Sequence, residues 1–353
     1  MARVAWSVAL LAFWLACEKP PVPAGESAGT AARTASPASA AETPDRLSTG
    51  GAHDRKLRIA VIPKGTTHDF WKSIHAGARR AERELGNVEV IFRGPEREDD
   101  REQQVSLVQN FISSRADAIV LAPLDDKALL PAVRQATAAK IPVVIIDSGL
   151  AGEVGKDFVS YAATNNFLGG QLGARRLAEV LGGKGRVLLL RYQEGSASTT
   201  EREAGFVEEI GKHEGIELID PRRYAGATRA TAQEAAENLL TVNTDIQGVF
   251  CPNESSTFGM LLALRSRGLA GRVRFVGFDS SEGLVDALRA GDIDGLVVQN
   301  PKRMGYLGVK TAVDFISGRT VEPLQDTGVV VVTKDNLDTP DIQQLLSPDA
   351  GGP

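Results

Sequence analysis

The fold is decided by residues 118–147, which read AIVLAPLDDKALLPAVRQATAAKIPVVIID. Two short apolar runs, Ala118–Ala122 and Val143–Asp147, flank a longer stretch, Leu129–Ala139, whose apolar residues recur at helical spacing. Short β-branched runs that alternate with helical stretches are typical of a parallel sheet covered by helices. The segment therefore predicts one strand, helix, strand unit of an α/β protein.

The same alternation extends in both directions from this unit. It begins with a strand at Leu57–Pro63, restarts after Tyr161 with a helix at Leu168–Leu181, and reaches a strand at Gly295–Gln299. Two repeats of this alternation of strands and helices predict two similar lobes, each a parallel sheet flanked by helices.

Composition limits the possible functions. A chain of 353 residues, 42% of them hydrophobic, can bury a sizeable core, and its formal net charge of −5 comes without a basic patch. Nucleic acid is therefore not an expected partner. The sequence lacks the Gly-x-Ser-x-Gly, His-Glu-x-x-His and Gly-x-x-x-x-Gly-Lys-Ser/Thr motifs, which argues against a hydrolase. We expect no enzyme activity, no cofactor and no metal.

The first residues have the proportions of an export signal. Arg3 precedes an apolar run, Val4–Leu15, that is too short to span a bilayer and is followed by Cys17. A cysteine at this boundary resembles the lipobox of bacterial lipoproteins, so we expect residues 1–17 to be a lipoprotein signal and Cys17 to carry lipid. An ordinary cleaved signal beside an uninvolved cysteine is the alternative. Residues 18–56 are rich in Pro, Ala, Gly, Ser and Thr and predict a disordered tether.

Polar residues stand repeatedly where the predicted strands end. They are Lys64, Asp147, Asn253, Asp279 and Gln299. Open α/β sheets bind their ligands at the carboxyl ends of the strands. These residues therefore predict a site for a small polar ligand.

Seven short motifs follow one another along the chain. They are Ile59–Ile62 followed by Asp69–Trp71, Val144–Asp147, Thr164–Asn166 before Gly169–Gly170, Glu201–Arg202 before Gly205–Phe206, Phe250–Glu254, Val276–Asp279, and Val298–Pro301. In these motifs the chain from Leu57 to about Val332 resembles the periplasmic pentose and hexose binders of the type I class, the relatives of ribose-binding protein.

The resemblance implies two lobes hinged around a ligand cleft. The hinges would be chain crossovers near Thr164, near Gln299–Asn300 and near Thr327–Gly328. The first lobe would then contain residues 57–163 and 300–328, and the second residues 164–299 and 329–346. Residues 347–353 are expected to form a disordered tail.

Sugar binding requires particular side chains, because each hydroxyl removed from water needs a hydrogen-bond partner. Carboxylates accept from hydroxyls, the Arg202 guanidinium donates as a fork, and aromatic rings cover the apolar faces of a sugar. Core packing of the aromatic residues, a surface ion pair of Arg202 and a helix-capping role of Asp279 are the alternatives. The predicted ligand-binding residues are Lys64, His68, Phe70, Trp71, Asp147, Asn165, Arg202, Asn253, Asp279 and Gln299.

The resemblance implies a monomeric, lipid-anchored periplasmic protein that binds a monosaccharide and delivers it to an ABC-transporter permease. Ser148 follows Asp147 where ribose binders have an arginine, and Ile62–Lys64 and Phe92–Pro95 resemble receptors for furanosyl autoinducers. A sensor subunit for such a signal, a polyol or another small molecule, feeding a receptor kinase, is therefore the second hypothesis. A lac-repressor-type regulator is disfavoured, since it would begin with a helix-turn-helix.

Overall fold

The computed structural model describes residues 55–347. The predicted signal, Cys17, most of the predicted tether and residues 348–353 of the predicted tail lie outside the described residues. Among residues 55–347, the helices lack the combination of length and apolar character needed to cross a bilayer.

Strands and helices alternate along the described residues. The first part contains β1 (Leu57–Ile62), α1 (Asp69–Leu85), β2 (Val88–Phe92), α2 (Arg101–Ser113), β3 (Ala118–Leu121), α3 (Leu130–Ala138), β4 (Val143–Ile146) and β5 (Ser160–Ala163). The second part contains α4 (Asn166–Val180), β6 (Lys184–Leu189), α5 (Ala197–Ile210), β7 (Gly215–Ile219), α6 (Arg229–Val242), β8 (Gly248–Phe250), α7 (Glu254–Ser266), β9 (Arg274–Phe278), α8 (Glu282–Ala290) and β10 (Gly295–Gln299). The last part contains α9 (Pro301–Ile316), β11 (Leu324–Asp326), β12 (Val329–Val332) and α10 (Pro340–Leu346).

The strands form two six-stranded sheets with equivalent orders. The first sheet has the order β11-β5-β4-β3-β1-β2, and the second has the order β12-β10-β9-β8-β6-β7. All neighbouring strands in them are parallel except β12, which runs antiparallel to β10. We call the two halves built on these sheets the first and second lobe. The prediction of two similar α/β lobes is confirmed.

Both faces of each sheet are buried, which explains the continuous apolar strands. In β1, Ile59 and Val61 pack on the side of α1 and α9, whereas Ala60 and Ile62 pack on the side of α2 and α3. The second lobe repeats this arrangement, with α4 and α5 on one face and α6, α7 and α8 on the other. Cys251 lies fully buried in the cluster on the side of α6, α7 and α8, where burial raises the pKa of its thiol well above the usual value.

The chain passes between the two sheets three times, after β5, after β10 and between β11 and β12. Two of these passages touch, since the hydroxyls of Thr164 and Thr327 lie 3.4 Å apart and Thr164 Oγ1 donates to the Gly328 carbonyl at 3.3 Å. The remaining passage, after β10, leads directly into α9, whose N-terminus is capped by the Asn300 side chain. The short elements β5, β11 and α10 are not predicted by the sequence patterns.

Candidate functional site: a polar cleft between the lobes

Side chains from both lobes line one polar cavity. Many of them follow the carboxyl ends of strands, as expected for an α/β sheet. The lining residues are Lys64, His68, Phe70, Trp71, Glu98, Asp147, Tyr192, Ser198, Thr199, Arg202, Asn253, Glu254, Asp279 and Gln299.

Two aspartates occupy equivalent positions in the two lobes. Asp147 follows β4 and Asp279 follows β9, and both have left-handed backbones, with φ of 62° and 67°. Aspartate tolerates this conformation better than most residues with a Cβ. Each backbone N–H still bonds to the neighbouring strand, Asp147 to Ala162 at 3.2 Å and Asp279 to Val297 at 2.8 Å. The same backbone turn thus directs one carboxylate into the cleft from each sheet.

Asp147 is paired with a buried lysine. Lys64 Nζ lies 3.1 Å from Asp147 Oδ2, and both side chains are about 4% exposed. The same ammonium group donates to the Ser198 hydroxyl of the second lobe at 3.0 Å. Lys64 therefore places a cation beside Asp147. The residue that follows Asp147 is Ser148, which carries no charge of its own.

Arg202 organises the second-lobe side of the cavity. Its guanidinium is 2% exposed and donates to Asn166 Oδ1 at 2.8 Å, to the Pro252 carbonyl at 3.0 Å and to Gln299 Oε1 at 2.8 Å. It also lies over the Phe278 ring, 4.0 Å from the centroid. These contacts fix its plane.

Close helix packing sets the position of Arg202. A Cβ added to Gly170 of α4 would lie 1.9 Å from the Arg202 carbonyl oxygen, and one added to Gly205 of α5 would lie 2.0 Å from the Phe167 carbonyl oxygen. The two glycines therefore let α4 and α5 approach backbone to backbone. The motifs around Gly170 and Gly205 in the sequence have this physical basis.

Asp279 is held by neutral donors rather than by a close cation. Its Oδ1 accepts from Gln299 Nε2 at 2.5 Å, its Oδ2 accepts from the Glu254 backbone N–H at 3.0 Å, and Arg202 is 4.0 Å away. Burial raises the pKa of Asp279 to about 6, although Arg202 and Gln299 act in the opposite direction. This carboxylate lacks the full charge compensation that would stabilise it away from water.

A second polar cluster joins the lobes through Glu98. Its carboxylate accepts from Trp71 Nε1 at 2.7 Å and from the Tyr192 hydroxyl at 2.7 Å, and it lies 2.6 Å from His68 Nδ1. Burial would raise the pKa of Glu98, but these partners lower it below the usual value. Burial likewise opposes protonation of His68, yet Glu98 and Glu254 raise its pKa overall.

Glu254 and Asn253 approach the same cluster from the start of α7. The Asn253 side chain caps this helix by accepting from the Ser256 N–H. Glu254 forms an ion pair with Arg229 through Oε1, and its Oε2 lies 3.9 Å from His68 Nδ1 in the first lobe. The carboxylate is therefore shared between a salt bridge and the cavity.

The lobes are in direct contact across the cleft. The loop between β6 and α5 supplies most of the second-lobe partners. The contacts are Tyr192 Oη to Glu98 at 2.7 Å, Gln193 Nε2 to the Glu98 carbonyl at 2.8 Å, Arg101 to the Glu194 carbonyl at 2.7 Å, Asp126 N to the Gly195 carbonyl at 3.0 Å, and Ser198 N to Ser148 Oγ at 3.2 Å. The structure is thus a closed form of the cleft.

The cavity contains nine of the ten predicted ligand-binding residues. The exception is Asn165, which is exposed and uses its side chain to cap α4 by accepting from the Leu168 N–H at 3.0 Å. Its neighbour Asn166 is the buried asparagine that contacts Arg202.

Sequence reasoning missed five lining residues, Glu98, Tyr192, Ser198, Thr199 and Glu254. Tyr192 comes shortly after β6, so the strand-end rule could have found it. Glu254 lies within a quoted motif but was not assigned. Across residues 55–347, the His, Cys, Asp and Glu side chains form no group of three or more that could hold a metal ion.

A closed, polar cleft at the strand ends of two α/β lobes that are joined by three chain passages is typical of a solute-binding protein. The family model described as "Periplasmic binding protein domain" matches residues 59–320, and the chain belongs to this family. The type I periplasmic sugar-binding class inferred from the sequence motifs is confirmed, and the family consists of binding proteins rather than enzymes.

Three relatives illustrate the similarity. The D-ribose/D-allose-binding protein of Pseudomonas aeruginosa is 28% identical over 279 residues, which cover 78% of this chain and 86% of the relative. An ABC-transporter solute-binding protein of Agrobacterium vitis with bound D-fucose has a TM-score of 0.79 and 36% identity, covering 82% of this chain and 100% of that structure. A carbohydrate-transporter solute-binding protein of Agrobacterium radiobacter in complex with D-arabinose has a TM-score of 0.78 and 34% identity, with coverages of 83% and 99%.

Proposed function

We propose that this protein binds a monosaccharide in the interlobe cleft and delivers it to an ABC-transporter permease. The observation that carries the proposal is the set of buried polar side chains from both lobes around one cavity. Lys64 and Asp147 are each 3% exposed, Arg202 and Gln299 are each 2% exposed, and Asp279 is 6% exposed. The relatives named above, which carry names or bound ligands of the monosaccharide class, support the same choice.

The donor and acceptor inventory suits a neutral polyhydroxyl ligand. Asp147 and Asp279 accept from hydroxyls, Asn253 and Gln299 can both donate and accept, and the Arg202 fork only donates. Phe70 and Trp71 add apolar surface, with centroids 4.9 Å apart and rings at 89°. A sugar presents the same combination of hydroxyls and C–H faces.

Lobe closure would couple binding to delivery. A ligand that contacts both lobes favours the closed form by the difference between its affinities for the closed and open forms. Thr164, Asn300 and Thr327 lie on the three interlobe passages and are the proposed hinges. The closed form would then be the species that the permease recognises.

The proposed location is the periplasm, in keeping with the family. We further propose that Cys17 carries a lipid anchor and that residues 18–56 form the tether. The protein would act as a monomer on this tether.

Isothermal titration calorimetry against D-ribose, D-allose, D-fucose, D-arabinose, polyols and furanosyl signals tests the proposal. We expect one of the monosaccharides to bind, and Asp279→Asn to abolish its binding. Asp157→Asn is the matched control, because Asp157 is an equally buried aspartate that pairs with Arg134 away from the cavity. Binding of a furanosyl signal alone would favour the sensor hypothesis, and a panel without any binding would contradict both.

A further inference from the structure

One oxygen of the Glu254 carboxylate is buried without a hydrogen-bond partner. Glu254 is 2% exposed, and its Oε1 is paired with Arg229. Its Oε2 is one of three buried side-chain polar atoms of residues 55–347 that lack a partner, the others being Arg229 Nε and Ser281 Oγ. An unsatisfied buried acceptor is unfavourable, and the cost is greater when the acceptor is charged. A group that donates to Oε2 would remove this cost.

The same oxygen faces the cleft. Glu254 belongs to the cavity lining, and Oε2 points towards His68 of the opposite lobe, at 3.9 Å from its Nδ1. His68 Nδ1 is itself engaged with Glu98 at 2.6 Å, so it does not satisfy Oε2. The open acceptor site therefore lies between the lobes, where a ligand would sit.

The local charges favour a neutral donor over a cationic one. Arg229 already neutralises Glu254 on one side, and the raised pKa of His68 favours a second positive charge on the other. Arg229 is held in place by Phe258, whose ring centroid is 4.1 Å from the guanidinium carbon. Each of these cations already faces a carboxylate, Arg229 that of Glu254 and His68 that of Glu98. A neutral hydroxyl keeps this balance, whereas an ammonium group would add an uncompensated positive charge.

We propose that Glu254 accepts a hydrogen bond from one particular hydroxyl of the bound sugar and thereby determines specificity at that position. The assignment rests on the proposed sugar-binding function. It adds a recognised hydroxyl on the side of the cavity formed by His68 and Glu98. The ligand would carry a hydroxyl there, rather than a hydrogen or an amino group.

The test is a cycle of protein and ligand variants measured by calorimetry. The ligand is the tightest binder among D-ribose, D-allose, D-fucose and D-arabinose, used together with its monodeoxy analogues. The proteins are the wild type, Glu254→Gln and the control Glu209→Gln, whose carboxylate pairs with Arg175 and does not line the cavity.

We expect Glu254→Gln to weaken binding of the parent sugar roughly tenfold to hundredfold, as for a lost hydrogen bond to a charged group. For one deoxy analogue the loss should nearly vanish, and the amino sugar substituted at that position should bind the wild type more weakly than the parent. The Glu209→Gln control should bind every ligand as the wild type does.

An equal loss for all analogues, or no loss at all, would overturn the assignment while leaving sugar binding intact. If the wild type bound none of the four sugars, the proposed function itself would fail. Should Glu254→Gln not fold, Glu254→Asp withdraws the carboxylate by one methylene group and completes the same cycle with the same expected pattern.

Discussion

The Asp279 carboxylate should destabilise the sugar-free protein at neutral pH. Burial raises its pKa from the ordinary 3.8 to about 6. The folded protein therefore holds this proton more tightly than the unfolded chain, so the stabilising contribution is complete below pH 3.8 and is lost as the pH rises through about 6. This change in pKa corresponds to about 3 kcal/mol of unfolding free energy lost by pH 8.

Asp279→Asn removes the charge and keeps the shape. Asparagine tolerates the left-handed backbone at this position and retains one acceptor for the Glu254 N–H. It cannot accept well from both Glu254 N and Gln299 Nε2, and the lost hydrogen bond costs about 1 kcal/mol. We therefore expect the variant to be about 2 kcal/mol more stable than the wild type at pH 8 and about as stable as the wild type at pH 4.5.

Urea unfolding of the sugar-free protein across this pH range measures the difference. Asp157→Asn should show the opposite trend, because Arg134 lowers the pKa of Asp157. That stabilisation is present above pH 3.8 and disappears as the pH falls through the lowered value, so the control variant should be less stable at pH 8. A difference between Asp279→Asn and the wild type that does not change with pH would refute the reasoning.

The same carboxylate should make sugar binding depend on pH. If ligand hydroxyls donate to ionised Asp279, a proton competes with the sugar below about pH 6. Wild-type affinity should then fall about tenfold between pH 7.5 and pH 5, because a group with this pKa is mostly protonated at pH 5. Calorimetry at both pH values tests this, and equal affinities would exclude ionised Asp279 as the acceptor.

Two further substitutions test the charge pairs and the contact between lobes. Lys64→Met should destabilise the protein by about 3–5 kcal/mol in urea unfolding, because it leaves the buried Asp147 carboxylate unpaired. The control is Lys72→Met, which removes an exposed ammonium group paired with Asp69 on the surface and should cost less than about 1 kcal/mol. Tyr192→Phe removes the hydroxyl that donates to Glu98 across the cleft and should weaken sugar affinity about tenfold by calorimetry. Affinity equal to that of the wild type would show that this contact does not favour closure.

The strand-end rule locates five of the fourteen lining residues from sequence, because its basis is topological. Asp147, Asp279 and Gln299 can be placed as soon as the strands are identified, since the carboxyl ends of parallel strands share one edge of a sheet. Asn165 is predicted from the Thr164–Asn166 motif rather than by this rule, and the turn into α4 decides which of the two adjacent asparagines is buried. A pattern of composition cannot resolve a difference of one residue at a helix start.

Glu98 shows a different limit. It lies in the sequence Glu96-Arg97-Glu98-Asp99-Asp100, which has the appearance of a solvated charged loop. Its burial depends on Tyr192, 94 residues away in the other lobe, and on His68 and Trp71 at the start of α1. The local sequence contains no information about these contacts between distant residues, so only the assembled cleft identifies Glu98 as a lining residue.

Asp147 and Asp279 occupy equivalent positions in the two lobes, but their carboxylates have different partners. One backbone turn, used once per lobe, directs a carboxylate into the cavity from each sheet. Asp147 receives a cation from Lys64, whereas Asp279 receives only amide donors at close range. A ligand that donates to Asp279 would therefore supply stabilisation that the protein itself withholds. We expect this gain to contribute to the preference for the liganded form that the proposed function requires.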